Sequence, residues 1–151
     1  MDPILSTLDR QFAQLDQRSR GLLALLDAGT LYARPSEMVG TIEPFSCGEF
    51  VARSAATVER TFGGITTRLW DDPYEWTLPE KLADTGLLLG YLDEVEATRR
   101  RGFAFIASDA ELGREIPAPE RMRTLGEILV ETITLASHYQ GRAFAVYQLL
   151  T

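Results

Sequence analysis

The chain holds one histidine and one cysteine in 151 residues. Bundle metal centres built on histidine draw several imidazoles from facing helices, so the usual multi-histidine site cannot be assembled from this composition. A lone Cys47 excludes an intramolecular disulfide and suits a reducing compartment. No apolar run approaches the roughly 18 residues of a membrane span, and Met1-Asp2-Pro3-Ile4-Leu5 lacks the basic and apolar regions of a secretory leader. A cytoplasmic protein without a membrane role is expected. Basic charge is also short: 15 Lys and Arg face 22 Asp and Glu, a net charge of −7, which opposes nucleic acid and anionic membranes. The cluster Arg99-Arg100-Arg101 reads as a solvated helix end. Gly-x-Gly-x-x-Gly, phosphate-loop, Gly-x-Ser-x-Gly and His-Glu-x-x-His patterns are absent, so nucleotide, esterase and zincin chemistry have no signature. Ser137 adjoins His138 on one helix and points elsewhere, against a nucleophilic triad.

What is present is apolar spacing of three and four residues, the period of amphipathic helices. The length suits one domain, residues 1–151, with a substantial core. Four helices are expected, over residues 3–26, 47–70, 78–107 and 125–150, in an all-α four-helix bundle with long connections. Asp2 is the candidate N-cap of the first and Gly29 its stop. Ser46-Cys47-Gly48-Glu49 has the form of a capping box, with Phe45 and Phe50 at hydrophobic-staple positions. Thr77-Leu78-Pro79-Glu80 and Thr124-Leu125-Gly126-Glu127 repeat the box before helices three and four. Gly63-Gly64 implies a kink or a close approach, and Gly86 or Gly90 a break in helix three. Residues 108–123 read as an irregular connection. Leu125, Leu129, Thr132, Ala136, Tyr139, Ala143, Val146 and Leu150 alternate four and three apart, the seam of a packed helix.

Beside that seam, Glu127, Glu131, Thr134, His138 and Arg142 share a polar stripe. Such a stripe lines a cleft with Glu49, Arg53 or Glu59 of helix two, or is a solvated face carrying one satisfied histidine. Trp70-Asp71-Asp72-Pro73-Tyr74-Glu75-Trp76 reads as an aromatic plug, a lid over the cleft, or an edge that meets a partner. Cys47, at the first position of its helix, is either inert and buried or has a thiol lowered by the helix dipole.

Two stretches, Ser46-Cys47-Gly48-Glu49-Phe50-Val51-Ala52-Arg53-Ser54 and residues 124–150 with Ser137-His138-Tyr139-Gln140-Gly141-Arg142, resemble the second and last helices of the DinB superfamily. That superfamily of four-helix bundles includes bacillithiol- and mycothiol-dependent transferases. The resemblance implies a divalent metal, often nickel or zinc, on one histidine of helix two and two of the last helix. Only His138 matches. Thr134 stands at the second position, and Arg53 or Ser54 at the helix-two position, where an arginine would set a fixed positive charge against a cation. The expectation is therefore a metal-free bundle with no cofactor. Its candidate cleft, formed by His138, Thr134, Glu131, Arg142, Arg53, Ser54 and Glu49, takes a small molecule or a protein partner. The alternative is a metal-dependent thiol transferase or hydrolase using an irregular nickel or zinc site of His138 with Glu49, Glu59 or Glu131. Apolar residues in excess on helices three and four, with the tryptophan-rich connection, imply a homodimer.

Overall fold

A computed structural model describes residues 1–35, 45–73 and 79–151. Four long helices dominate: α1 (Pro3–Leu23), α2 (Cys47–Thr67), α3 (Thr85–Phe105) and α4 (Leu125–Leu150). They form the expected all-α four-helix bundle. A short antiparallel pair, β1 (Glu115–Pro117) and β2 (Met122–Thr124), lies inside the connection that the sequence presents as irregular. Strands of three residues are too short for alternation to register.

α2 packs most extensively against α4 and next against α3, while α1 lies against α3 and α4. The α2–α4 seam runs antiparallel: Cys47 Sγ meets the Ala143 carbonyl at 3.3 Å, Ser54 Oγ donates to the Ala136 carbonyl at 2.8 Å, and the Thr61 and Thr132 hydroxyls bond at 2.6 Å. Burying each hydroxyl without such a partner would cost about 1–3 kcal/mol. At the centre, Phe12, Phe62 and Phe103 meet edge-on or tilted at 5.1, 5.9 and 5.2 Å between ring centroids. Each is buried, and each contributes about 2–3 kcal/mol of apolar transfer. No described helix is long and apolar enough to cross a membrane.

The helix ends show which local signals prevailed. The Ser46 capping box is complete, and the Phe45 and Phe50 rings meet at 5.5 Å as a staple. Thr124 accepts the Glu127 amide at 3.1 Å, but the Glu127 carboxylate turns outward to Arg121, so only half of that box forms. The Thr77 box falls on residues partly outside those described. α3 starts later than expected, at Thr85, because Asp84 accepts the Leu87 amide at 2.7 Å, and Pro79–Leu82 is a separate 3-10 turn. Neither Gly86 nor Gly90 breaks it. α1 stops at Leu23, before Gly29, because the Leu25 and Leu26 amides tighten onto the carbonyls three residues back. Asp27 then turns the chain by accepting the Gly29 and Thr30 amides, both at 2.9 Å. α2 ends at Thr67, short of Trp70, because Arg68 enters the left-handed region at φ 63°.

Two side chains depart from their expected roles. Asp2 does not cap its own helix: it accepts the Asp109 amide, and Asp109 in return accepts the Ile4 and Leu5 amides at 3.1 and 2.9 Å. Arg99 is no solvated helix end, being 5% exposed and held by the Asp9 carboxylate at 2.8 Å and its carbonyl at 3.0 Å. The long arginine stem lets a charge on α3 cross to α1 while its methylenes fill the interface.

Candidate functional site

A cleft of about 380 Å³ opens between α2, α4 and the hairpin. Its floor is the buried hydroxyl pair of Thr61 and Thr132. Thr132 also reaches the Ile128 carbonyl at 2.7 Å. One proton per hydroxyl then fixes the direction, with Thr61 donating to Thr132 and Thr132 to the backbone. Thr61 is left as an acceptor facing the cleft.

The hairpin wall follows from register. Ile116 pairs with Arg123, and cross-strand partners project from the same face of a ribbon. Ile116 is 1% exposed, so the face that buries the isoleucine also delivers Arg123 inward against the bundle. There Arg123 forms an ion pair with Glu131 of α4. Its side chain is 19% exposed against 56% for Glu131, and its Nε and Nη2 are buried with no hydrogen-bond partner among the described residues.

Trp70 closes the end. Its indole N–H donates to the Pro117 carbonyl at 3.2 Å, and its carbonyl accepts Arg60 Nε at 3.1 Å. The ring seats on Gly64, where a Cβ would lie 2.2 Å from a ring carbon. Gly64 thus serves close approach, and α2 continues through both glycines. Arg121, at the rim, bonds Glu127 at 2.6 Å. The pairing holds the Glu127 carboxyl below its ordinary range and raises the Arg121 guanidinium. The lining carries Arg60, Arg121 and Arg123 against Glu120 and Glu131. With Glu127 on Arg121 and Glu131 on Arg123 these charges balance, yet in a chain of net charge −7 with a single lysine three guanidiniums are gathered around one concavity.

Of the residues singled out from sequence, Glu131 lines this cleft. Arg53, Arg142 and His138 lie on another part of the α2–α4 face, among Phe45, Phe50 and Tyr139. The Arg53 guanidinium sits 4.2 Å over Phe45, Arg142 5.9 Å over Phe50, and His138 is exposed beside Tyr139. Ser54 is committed to the seam. Thr134 is exposed and donates to the Val130 carbonyl in its own helix at 3.0 Å. Glu49 serves the Ser46 cap and takes Arg34 through both oxygens at 3.1 Å. Glu59 accepts the Tyr91 hydroxyl at 2.6 Å on the α3 side, and burial together with that carboxylate drives the phenol far above its ordinary pKa. The side chains at the positions that the DinB resemblance would assign to metal ligands do not together make a cation site: a buried seryl hydroxyl spent on backbone, an outward threonine, one imidazole and an arginine. Cys47 is buried, and burial pushes its thiol up, contrary to a dipole-lowered nucleophile.

Trp70 belongs to the cleft wall, whereas Tyr74, Glu75 and Trp76 fall outside the described residues. Sequence reasoning missed Arg60, Arg121 and Arg123. The only trace of the last two was their i, i+2 spacing before the Thr124 cap, a strand period over too few residues to read.

Comparison of the chain with protein-family models, with curated proteins and with solved structures finds no match.

Proposed function

We propose that the protein is a DinB-like four-helix bundle that holds no metal and binds a small polar molecule in the cleft between α2, α4 and the hairpin. The observation that carries the reading is the cleft itself: about 380 Å³, floored by hydroxyls, walled by an indole and flanked by three guanidiniums. That volume lies in the range of small-molecule sites, and a few directed polar groups on a partly apolar wall are how such sites fix orientation. A concavity of this volume suits a small molecule better than a protein surface. The carboxylates that an irregular centre at His138 would need are engaged elsewhere: Glu131 with Arg123, Glu49 with Arg34 and Glu59 with Tyr91.

Titration of the isotopically labelled chain with a library of small polar fragments tests the site. Amide shifts gathered on Thr57, Ile128, Glu131 and Leu135 support it, and binders that collect elsewhere contradict it. Metal content of tag-free protein tests the other half. Stoichiometric nickel, zinc or iron that is lost in His138→Ala would restore the enzyme reading.

A further inference from the structure

We infer that the cleft is a carboxylate receptor whose resting occupant is the protein's own Glu131, and that a ligand carboxylate takes the place of that side chain on the Arg123 guanidinium. This rests on the reading of the cleft as a small-molecule site and names its ligand class.

The two partners of the ion pair differ in freedom. Arg123 is fixed by strand register opposite the buried Ile116 and is 19% exposed, while the Glu131 side chain is 56% exposed at the cleft edge. The cation is preorganised, and the anion can swing into water with little loss of packing. The pair also leaves the guanidinium edge unsatisfied. Glu131 lies against Nη2 as an ion pair, but neither Nε nor Nη2, both buried, has a hydrogen-bond partner among the described residues. A buried N–H without a partner is costly, and the Nε/Nη2 edge of arginine matches both oxygens of one planar carboxylate. Glu131 reaches the site from a helix and pairs with Nη2 by charge alone, whereas a free carboxylate can align along the edge and accept from both nitrogens.

The remaining walls describe the rest of the ligand. Trp70, Ile128 and Leu135 offer an apolar flank, suited to an aryl or branched alkyl group. The acceptor lone pairs of Thr61 on the floor favour a hydroxyl or amine on the body. The class is thus a small monocarboxylate with an aromatic or branched body, and its affinity arises from exchange of one carboxylate for another.

Sodium benzoate and benzamide, titrated separately into the labelled full chain against a sodium chloride control, differ in the charge under test. Benzoate is expected to shift Thr57, Ile128, Leu135 and the Trp70 indole N–H saturably, with benzamide weaker by about tenfold or more, the increment of a charged hydrogen bond. Glu131→Gln removes the internal competitor and should tighten benzoate by about tenfold, a gain that misfolding cannot imitate. Arg123→Gln should abolish the response, and Arg123→Lys, which keeps the charge without the fork, should recover only part of it. Equal affinity for the two compounds, or a Glu131→Gln variant that binds benzoate no more tightly, overturns the carboxylate assignment and leaves the small-molecule reading standing. If neither compound moves the cleft resonances, both fall.

Discussion

Replacing Gly63 and Gly64 by alanine, one at a time, should move stability in opposite directions, although the two are neighbours in one helix. Alanine is favoured over glycine in a helix by about 0.8–1 kcal/mol. At Gly63 the new methyl meets nothing closer than the Leu69 carbonyl at 3.8 Å, an ordinary contact, so most of that gain survives. At Gly64 it would lie 2.2, 2.3 and 2.5 Å from three carbons of the Trp70 ring. Carbon atoms pack at about 3.5–4 Å, so the indole must retreat by more than about 1 Å. Overpacking of this kind costs about 1–3 kcal/mol. The retreat also strains the indole bond to Pro117, 3.2 Å long, worth about 1 kcal/mol. After the helical gain is subtracted, Gly64→Ala should lose about 1–3 kcal/mol. For a chain of this length that is a fall in Tm of roughly 2–12 °C, against a rise of roughly 1–4 °C for Gly63→Ala. Thermal unfolding followed by circular dichroism gives both numbers. Gly64→Ala should also red-shift the tryptophan emission, as the ring leaves its seat. Equal stabilisation by the two variants would show that Trp70 does not rest on α2, and the end wall of the cleft would go with it.

Arg99→Ala should destabilise by about 1–3 kcal/mol in chemical denaturation, less than for a fully buried pair because the Asp9 side chain is one-third exposed; no change would mean the α1–α3 link is decorative. Asp27 is held below its ordinary pKa by the Thr30 hydroxyl and by the Thr30 and Gly29 amides, and Glu127 by Arg121. A folded pKa below the unfolded one gives stability that is complete above the unfolded value, about 4, and is lost as pH falls through the folded value. Tm should therefore decline below about pH 4, and Asp27→Asn should flatten that decline; an unchanged acid limb would contradict the assignment. We propose that exposed apolar side chains such as Phe105 on α3 and Val130 and Leu149 on α4 seat a second copy of the chain; light scattering at micromolar concentration should return twice the chain mass, and a clean monomer refutes the dimer.

The four helices were legible because their signals are local and repeated. Period and cap agree at Ser46 and Thr124, and the α4 seam needs nothing beyond sequence spacing to place Leu129, Thr132 and Ala136 inside. Where a boundary shifted, a second local signal competed, as when Asp84 rather than Thr77 opened α3. The failures are all long-range. Asp109 caps a helix more than a hundred residues away, Arg99 finds Asp9 across the bundle, and Arg123 enters the cleft only because its strand pairs in a register that buries Ile116. The polar stripe on α4 was readable as a stripe, but which of its members meets a concavity depends on the hairpin. That element places Glu131 in the cleft and leaves His138 outside it.

The most direct measurement is a crystal structure of the tag-free protein with benzoate. The expected complex has a carboxylate along the Nε and Nη2 edge of Arg123, the phenyl ring between Trp70 and Leu135, Glu131 turned to solvent, and no metal at His138. Benzoate bound outside this cleft, or a metal ion coordinated by His138, would contradict it.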